Sequence, residues 1–428
     1  MAAKDNITDL QNKIDRKRGA AADWREPLKR RGAGYVGDER NVLLAFRLAP
    51  ELKELLRYNE FALNIEFTRA PPWRQGAAGD AWAEQDDAGL LVWLQDKDIA
   101  VRSATVVGNA ALLAARDQAF HPVRNYLDAL SWDGTERLEG MLEAYFGARG
   151  RTEYHSAVGL RFIVSAVARI LSPGCQADHT LVLESAQGTG KTSAVRTLAV
   201  RPEWFAGSLP DIHSKDAPLQ LAGRWFIEIA ELKAVRNSQL EATKSFLTET
   251  CDTFRPPYAR RTGQFPRQCV FVGTTNEDQY LRDRTGNRRY WPVKCGRIDI
   301  PALTRDRDQL WAEAVHKFRR GTAWHLSEHE IQLASEEQRA RVSTTETEAD
   351  VAEYLHKIAA AGQAEISVRD VLIYGLGLNP DVPGYAEAAR KLGSAVADAM
   401  EFAGWKKDAR RGSDRRTMYR KGEGGRQG

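Results

Sequence analysis

A short apolar, β-forming run, Leu181-Val182-Leu183-Glu184, passes into Gln187-Gly188-Thr189-Gly190-Lys191-Thr192 and then into a helix-compatible stretch. No other feature constrains the fold as tightly, because strand, glycine turn and helix in that order build a phosphate-binding loop, or P-loop. Gly188 and Gly190 let the backbone curl so that its N–H groups point at phosphate oxygens, and the helix start adds its positive dipole end. Lys191 is then placed to reach β- and γ-phosphates, and Thr192 to put its hydroxyl on a magnesium ion bridging them. The expected ligands are ATP and Mg2+, held by Ser185, Gln187, Gly188, Thr189, Gly190, Lys191, Thr192 and Ser193. The fuller spacing Gly-x-x-x-x-Gly-Lys-Thr would put a glycine where Ser185 stands.

At 428 residues the chain has room for two to four domains. Its apolar runs fall short of the roughly eighteen residues that span a bilayer, and its N-terminus is polar, so a cytoplasmic protein without membrane contact is expected. Cys175, Cys251, Cys269 and Cys295 stand singly, which supports neither a zinc site nor a disulfide framework and suggests small buried hydrophobes. Net charge is only +4, yet residues 404–428 carry nine Lys or Arg against three acids, a concentration that suits a nucleic-acid-binding module or a solvated basic tail.

Residues 1–38 are polar and basic and read as a flexible arm or linker; 39–150 read as an α-rich N-terminal domain. Its aromatic-proline turns, such as Phe120-His121-Pro122 and Ser131-Trp132-Asp133-Gly134, read as packing corners. Residues 151–325 alternate helical and strand-like segments, the pattern of a mainly parallel sheet in an α/β P-loop NTPase core. A linker at 326–344 then leads to 345–421. There the order helix, helix, longer helix and a two-strand hairpin matches a winged-helix-like DNA-binding domain, with a flexible tail at 422–428.

The strand Trp225-Phe226-Ile227-Glu228-Ile229-Ala230-Glu231 ends in acids, where carboxylates can hold magnesium and activate water. Glu228 is assigned to the metal with Thr192, and Glu231 to water activation; the reverse assignment also fits. Val270-Phe271-Val272-Gly273-Thr274-Thr275 ends at Asn276, suited to sensing the γ-phosphate, positioning water or capping a loop. Arg288 and Arg289 form a basic pair, either an arginine supplied to a neighbouring subunit's nucleotide or a surface ion-pairing site. Between 254 and 267, four arginines (Arg255, Arg260, Arg261 and Arg267) interleave with aromatics including Tyr258 around a Thr-Gly turn, a composition suited to single-stranded DNA. On the proposed winged helix, Arg390 and Lys391 on the long helix and Lys406, Arg410, Arg411, Arg415 and Arg416 on the wing are the expected duplex contacts, with Leu392, Val396 and Ala399 as core.

Taken in order, Gln-Gly-x-Gly-Lys-Thr, Glu-Ile-Ala-Glu, Arg-Pro-Pro-Tyr, Thr-Thr-Asn and Thr-Gly-Asn-Arg-Arg-Tyr-Trp-Pro resemble the virulence-associated protein E family, replication ATPases of phages, prophages and plasmids related to superfamily 3 helicases. The resemblance runs over about residues 42–321, including Phe120-His121-Pro122-Val123 and Ser131-Trp132-Asp133-Gly134-x-x-Arg137-Leu138. It implies an AAA+-like, superfamily 3-type core, a ring homo-oligomer of hexamer type moving on DNA, Asn276 as sensor, and Arg288 or Arg289 as arginine finger. Many relatives carry a primase with clustered aspartates; here Asp86-Asp87 is a lone pair whose side chains point apart, so a primase is expected to be lost or encoded separately. Two functions compete: an ATP-dependent DNA helicase or replication protein translocating on single-stranded DNA, and an origin-binding or regulatory protein that uses ATP as a switch. A small-molecule kinase has no need of the sensor asparagine, the tandem arginine or the winged helix.

Overall fold

The computed structural model describes residues 23–212, 214, 216–230, 237–256, 261–281, 287–342, 346–411 and 417–421, without the side chains of 237–241, 346, 347, 349 and 409–411. Contacts divide the chain into two units, Met1–Asp278 with Thr285–Arg339, and Gln279–Arg284 with Ala340–Gly428.

The first unit opens with β1 (Arg30–Arg31), β2 (Gly34–Val36), α1 (Glu39–Leu48), β3 (Leu56–Asn59), β4 (Asn64–Phe67), α2 (Glu84–Gln95), β5 (Ile99–Ala100), α3 (Ala104–Arg116) and β6 (Ala119–Phe120). Two three-stranded sheets, β1-β2-β5 and β4-β3-β6, pack with the helices around Val42, Phe46, Leu52, Phe67, Leu90 and Val107. This part, in which helices outweigh strands, therefore also carries two small sheets that the sequence reading did not include. Its strands are two to four residues long, too short to display a period-2 pattern. Nor does the expected arm reach residue 38, because Leu28 and Tyr35 are already buried in this core. Asp86 accepts from Trp73 Nε1 (3.0 Å), Arg74 Nε (2.7 Å) and the Ala83 amide (2.9 Å), while Asp87 accepts from Trp82 Nε1 (3.1 Å). The adjacent aspartates thus serve different partners, as neighbours on one helix do.

After α4 (Pro122–Ala129), α5 (Met141–Ala144) and α6 (Thr152–Leu171), the chain builds a five-stranded parallel sheet. Its elements are β7 (Thr180–Glu184), α7 (Lys191–Leu198), β8 (Phe205–Ala206), α8 (Ala217–Leu221), β9 (Phe226–Ala230), α9 (Asn237–Thr248), the hairpin β10 (Cys251–Phe254) and β11 (Gly263–Pro266), β12 (Val270–Thr275) and β13 (Tyr290–Lys294). α10 (Ile300–Arg319) and α11 (Glu328–Ala340) follow, α11 occupying most of the stretch expected to be a linker at 326–344, with Ala334, Glu337 and Gln338 buried. Every residue of β7 and β12 is buried, which is why both read as continuous β-forming runs without alternation. α6 is long and apolar enough to cross a membrane, but 78% of its apolar window lies inside the fold, so it serves as a core helix.

Trp225 and Trp311 tie the layers together, with ring centroids 4.3 Å apart. Trp225 Nε1 donates to the Ala166 carbonyl of α6 (3.0 Å), and Trp311 Nε1 to the Leu198 carbonyl at the end of α7 (3.1 Å). The second bond satisfies an otherwise orphaned helix-end carbonyl and pins α7 against α10. The Ser131-Trp132-Asp133-Gly134 segment is a corner as expected: Asp133 holds Arg137 (2.7 Å), and buried Glu313 accepts the amides of Arg137 and Leu138 (2.6 and 3.0 Å). Of the cysteines, Cys269 and Cys295 are buried, but Cys251 is exposed and Cys175 half-buried, correcting the expectation for those two.

The second unit contains α12 (Glu346–Ala360), β14 (Glu365–Ser367), α13 (Val368–Asp370) continuing into a π-helical turn (Val371–Gly375), α14 (Tyr385–Phe402), β15 (Trp405–Arg411) and β16 (Thr417–Lys421). Antiparallel β14, β16 and β15 form a sheet, and Ser367 with Asp370 makes a reciprocal capping box. β14 is absent from the sequence reading, since three residues carry no pattern. Val351, Leu355, Val371, Val396, Met400, Trp405 and Tyr419 form the core, Ala399 is buried with them, and Leu392 packs against them.

Candidate nucleotide site at the strand ends

The sheet order β13-β7-β12-β9-β8 means that the connection leaving β7 crosses β12 and β9, while the connection leaving β12 crosses β7 in the other direction. The carboxyl ends of β7 and β12 therefore flank a topological switch point, where open α/β sheets leave a crevice for ligand. From β7 the chain turns through residues 185–190 into α7. Gly188 (φ +79°) and Gly190 (φ +97°) both occupy the left-handed region, a conformation in which a side chain would be strained.

Lys191 opens α7 and is 8% exposed. Its ammonium donates to the Ser185 carbonyl (2.7 Å), the Ser185 hydroxyl (3.1 Å), the Ala186 carbonyl (3.0 Å) and Asn276 Oδ1 (2.9 Å). Burial pulls its pKa below the usual lysine value, against the pull of nearby Glu228. Serine at position 185 closes the loop on itself: its Oγ lies 2.5 Å from Thr189 Oγ1, and its amide donates to the Thr275 carbonyl (3.3 Å). Glu228, 2% exposed on β9, accepts from Thr192 Oγ1 at 2.7 Å. A cavity of about 360 Å³ is lined by residues 187–193, Glu228, Ala230, Thr274, Thr275 and Asn276.

The fold thus gathers Ser185, Gln187, Gly188, Thr189, Gly190, Lys191, Thr192, Ser193, Glu228 and Asn276 at one crevice. Glu231 lies outside the described residues. The sequence reading missed Thr274, whose hydroxyl also donates to Glu228 Oε1 (2.7 Å); the signal was a Thr-Thr pair closing an otherwise apolar strand.

Arg288 and Arg289 do not join this site. They precede β13 at the end where Tyr290 pairs with Thr180, whereas the loop leaves β7 beyond Glu184, about 13 Å of strand away. Arg289 is tied to Asp178 (3.5 Å) and Thr248 Oγ1 (3.2 Å), and Arg288 is exposed.

The hairpin corrects one expected contact. Arg267 is 2% exposed, and its guanidinium bonds Asp252 (Nε to Oδ2, 2.9 Å) and the Phe246 carbonyl while standing over the Phe246 ring (4.7 Å). It anchors the hairpin base to α9 and is closed to DNA. The reason is its position beyond β11, where the chain re-enters the core. Thr262-Gly263 is likewise not the turn, because Gly263 already pairs with Phe254. Arg255 and Arg261 flank the tip and are exposed; Tyr258 and Arg260 lie outside the described residues. In the second unit Arg390, Lys391 and Lys406 are exposed, Arg410 and Arg411 fall on β15, and Arg415 and Arg416 lie outside the described residues.

Three structures of the NrS-1 C-terminal region resemble this chain in outline. The apo structure of that region (305-718) aligns with a TM-score of 0.44 at 10% identity, covering 86% of this chain and 95% of that one. Its A-form apo structures give 0.44 at 11% (86% and 96% covered) and 0.42 at 9% (85% and 95%). No curated protein matches. A model of the virulence-associated protein E-like domain matches residues 127–343, just over half of the chain and including every residue gathered at the crevice. The chain belongs to the virulence-associated protein E-like family.

Proposed function

We propose that this chain is a P-loop ATPase of the AAA+-like, superfamily 3 helicase type, acting as an ATP-dependent replication helicase of a phage or mobile element. The observation that carries the reading is the convergence of Lys191, Thr192, Glu228 and Asn276 on a glycine-turned helix start at the switch point of a parallel sheet. The residues fit ATP with magnesium: the glycine turn offers amides, the cavity is open, and an acid–hydroxyl pair stands beside it. The amides of residues 187–193 would hold phosphate, Lys191 would exchange its loop carbonyls for phosphate oxygens, and Thr192 with Glu228 would hold the metal. Bound magnesium supplies charge neutralisation on the β- and γ-phosphates. Asn276, sharing Lys191 in this structure, is placed to follow that exchange. Glu231, just past β9, is assigned to water activation.

Family membership supports a role in phage-type replication. Arg288, exposed and remote from its own loop, suits an arginine delivered to a second copy, which makes the working form a ring homo-oligomer, taken as a hexamer. Exposed Arg255 and Arg261 suit single-stranded DNA in the channel, and the basic face of the winged-helix-like second unit suits duplex.

The test is ATP turnover with and without single-stranded DNA, with a mass measurement in nucleotide. Lys191→Ala should abolish turnover and weaken ATP binding by about 10- to 100-fold, the worth of a charge-assisted bond. Normal turnover in that variant would overturn the assignment. ATP binding without DNA-stimulated turnover would favour the nucleotide as a switch for a DNA-binding protein.

A further inference from the structure

Glu228 Oε1 accepts two hydroxyl hydrogen bonds, each of 2.7 Å, from different parts of the fold. Thr192 reaches it from the first turn of α7, and Thr274 from β12, the neighbouring strand. Thr274 stands opposite Ala230 and Val272 opposite Glu228, so these four residues share one face of the sheet, with Thr274 diagonal to the carboxylate. Both partners are buried, at 2% for Glu228 and 7% for Thr274. A hydroxyl bond to an ionised carboxylate is charge-assisted, and in a water-poor setting it holds the acid's rotamer firmly.

We propose that Thr274 is a positioning residue that sets the Glu228 carboxylate against Thr192, so that the acid and the hydroxyl present a pre-formed divalent-cation site. The proposal rests on the nucleotide-site reading above and adds a supporting residue to it. Thr192 alone cannot do this work. Its hydroxyl must serve the cation as well as Glu228, whereas the Thr274 hydroxyl is fixed on β12, the strand between β7 and the β9 that carries Glu228, and donates to the carboxylate from there. Loss of an outer-shell partner that orients a ligating carboxylate typically costs about 10- to 100-fold in metal affinity.

The experiment uses the full chain, with Mn2+ as the probe followed by its EPR signal in the presence of saturating ADP. Thr274→Val keeps shape and strand preference but deletes the donor, and Thr274→Ser keeps the donor. The valine variant should bind Mn2+ about 10- to 100-fold more weakly, while its ADP affinity in EDTA stays within about twofold of the parent and the serine variant resembles the parent. If the valine variant fails to fold, Thr274→Cys, of similar size but a weak donor, substitutes for it, and weakened Mn2+ binding there supports the proposal. Parental Mn2+ affinity in the folded valine or cysteine variant overturns the proposal and leaves the nucleotide reading standing. A parent chain that binds no ADP overturns both.

Discussion

Arg267 is the arginine whose role the fold changed most, and its replacement separates anchoring from DNA contact. Arg267→Met keeps most of the apolar stem and removes the guanidinium. Asp252, 4% exposed, is then left without the cation that pairs it, and the Phe246 carbonyl without its donor. Removing one partner of a buried ion pair costs about 3–5 kcal/mol, and the missing cation–π interaction adds about 1. Against a total stability of about 5–15 kcal/mol, that is enough to loosen the hairpin base or unfold the unit at moderate denaturant. Arg255→Ala and Arg261→Ala, at exposed positions, should each cost within about 0.5 kcal/mol. Urea unfolding followed by tryptophan fluorescence, with single-stranded DNA binding measured on the same samples, reads the difference. Adding Asp252→Leu to Arg267→Met should recover much of the loss, because a buried pair replaced on both sides by apolar groups leaves no unpaired charge. An Arg267→Met protein with parental stability and no DNA binding would refute the anchor.

Three further outcomes follow from the geometry. Arg288→Ala should lose ATP turnover yet regain part of it when mixed with Lys191→Ala chains, since a hybrid interface can unite an intact loop with an intact arginine; Arg289→Ala should instead show up mainly as lost stability, through Asp178 and Thr248. No rescue in a subunit-exchanging mixture would count against a shared site. His179, stacked on Trp291 at 3.9 Å, is pulled down to about 3 by burial from 6.5. The unfolded chain therefore takes up the proton first, and stability should fall as pH drops below 6.5, by about 1.4 kcal/mol per unit from this group until its folded pKa is reached. His179→Phe should flatten that slope in urea titrations between pH 8 and pH 4, and equal slopes would refute it. Replacing Arg390, Lys391 and Lys406 with alanine should leave unfolding unchanged but reduce the slope of log K for duplex against log salt by about 0.9 for each phosphate no longer neutralised; an unchanged slope would make this a solvated face only.

What the sequence determined by itself was local. Leu181-Val182-Leu183 and Val270-Phe271-Val272 announce buried parallel strands because both faces must be apolar, and Gly188-Thr189-Gly190-Lys191-Thr192 announces a turn because only glycine takes positive φ without strain. The long helix α14, the hairpin at the C-terminal end and the ordered motifs that carried the family resemblance were legible for the same reason, each being written within about twenty neighbouring residues, whereas α11 lies where a linker was expected at 326–344. Tertiary structure decided what depends on residues far apart in the chain. The two-residue strands β5 and β6 exist only through pairing with distant partners, β2 and β3. Thr274 became a partner of Glu228 because β12 lies beside β9, and Arg267 became buried because the chain turns inward at the hairpin base. Composition treats Arg255 and Arg267 as equivalent cations. Desolvation does not, since a guanidinium enters the interior only where acceptors from elsewhere in the fold already wait, and no linear pattern records where those acceptors will be.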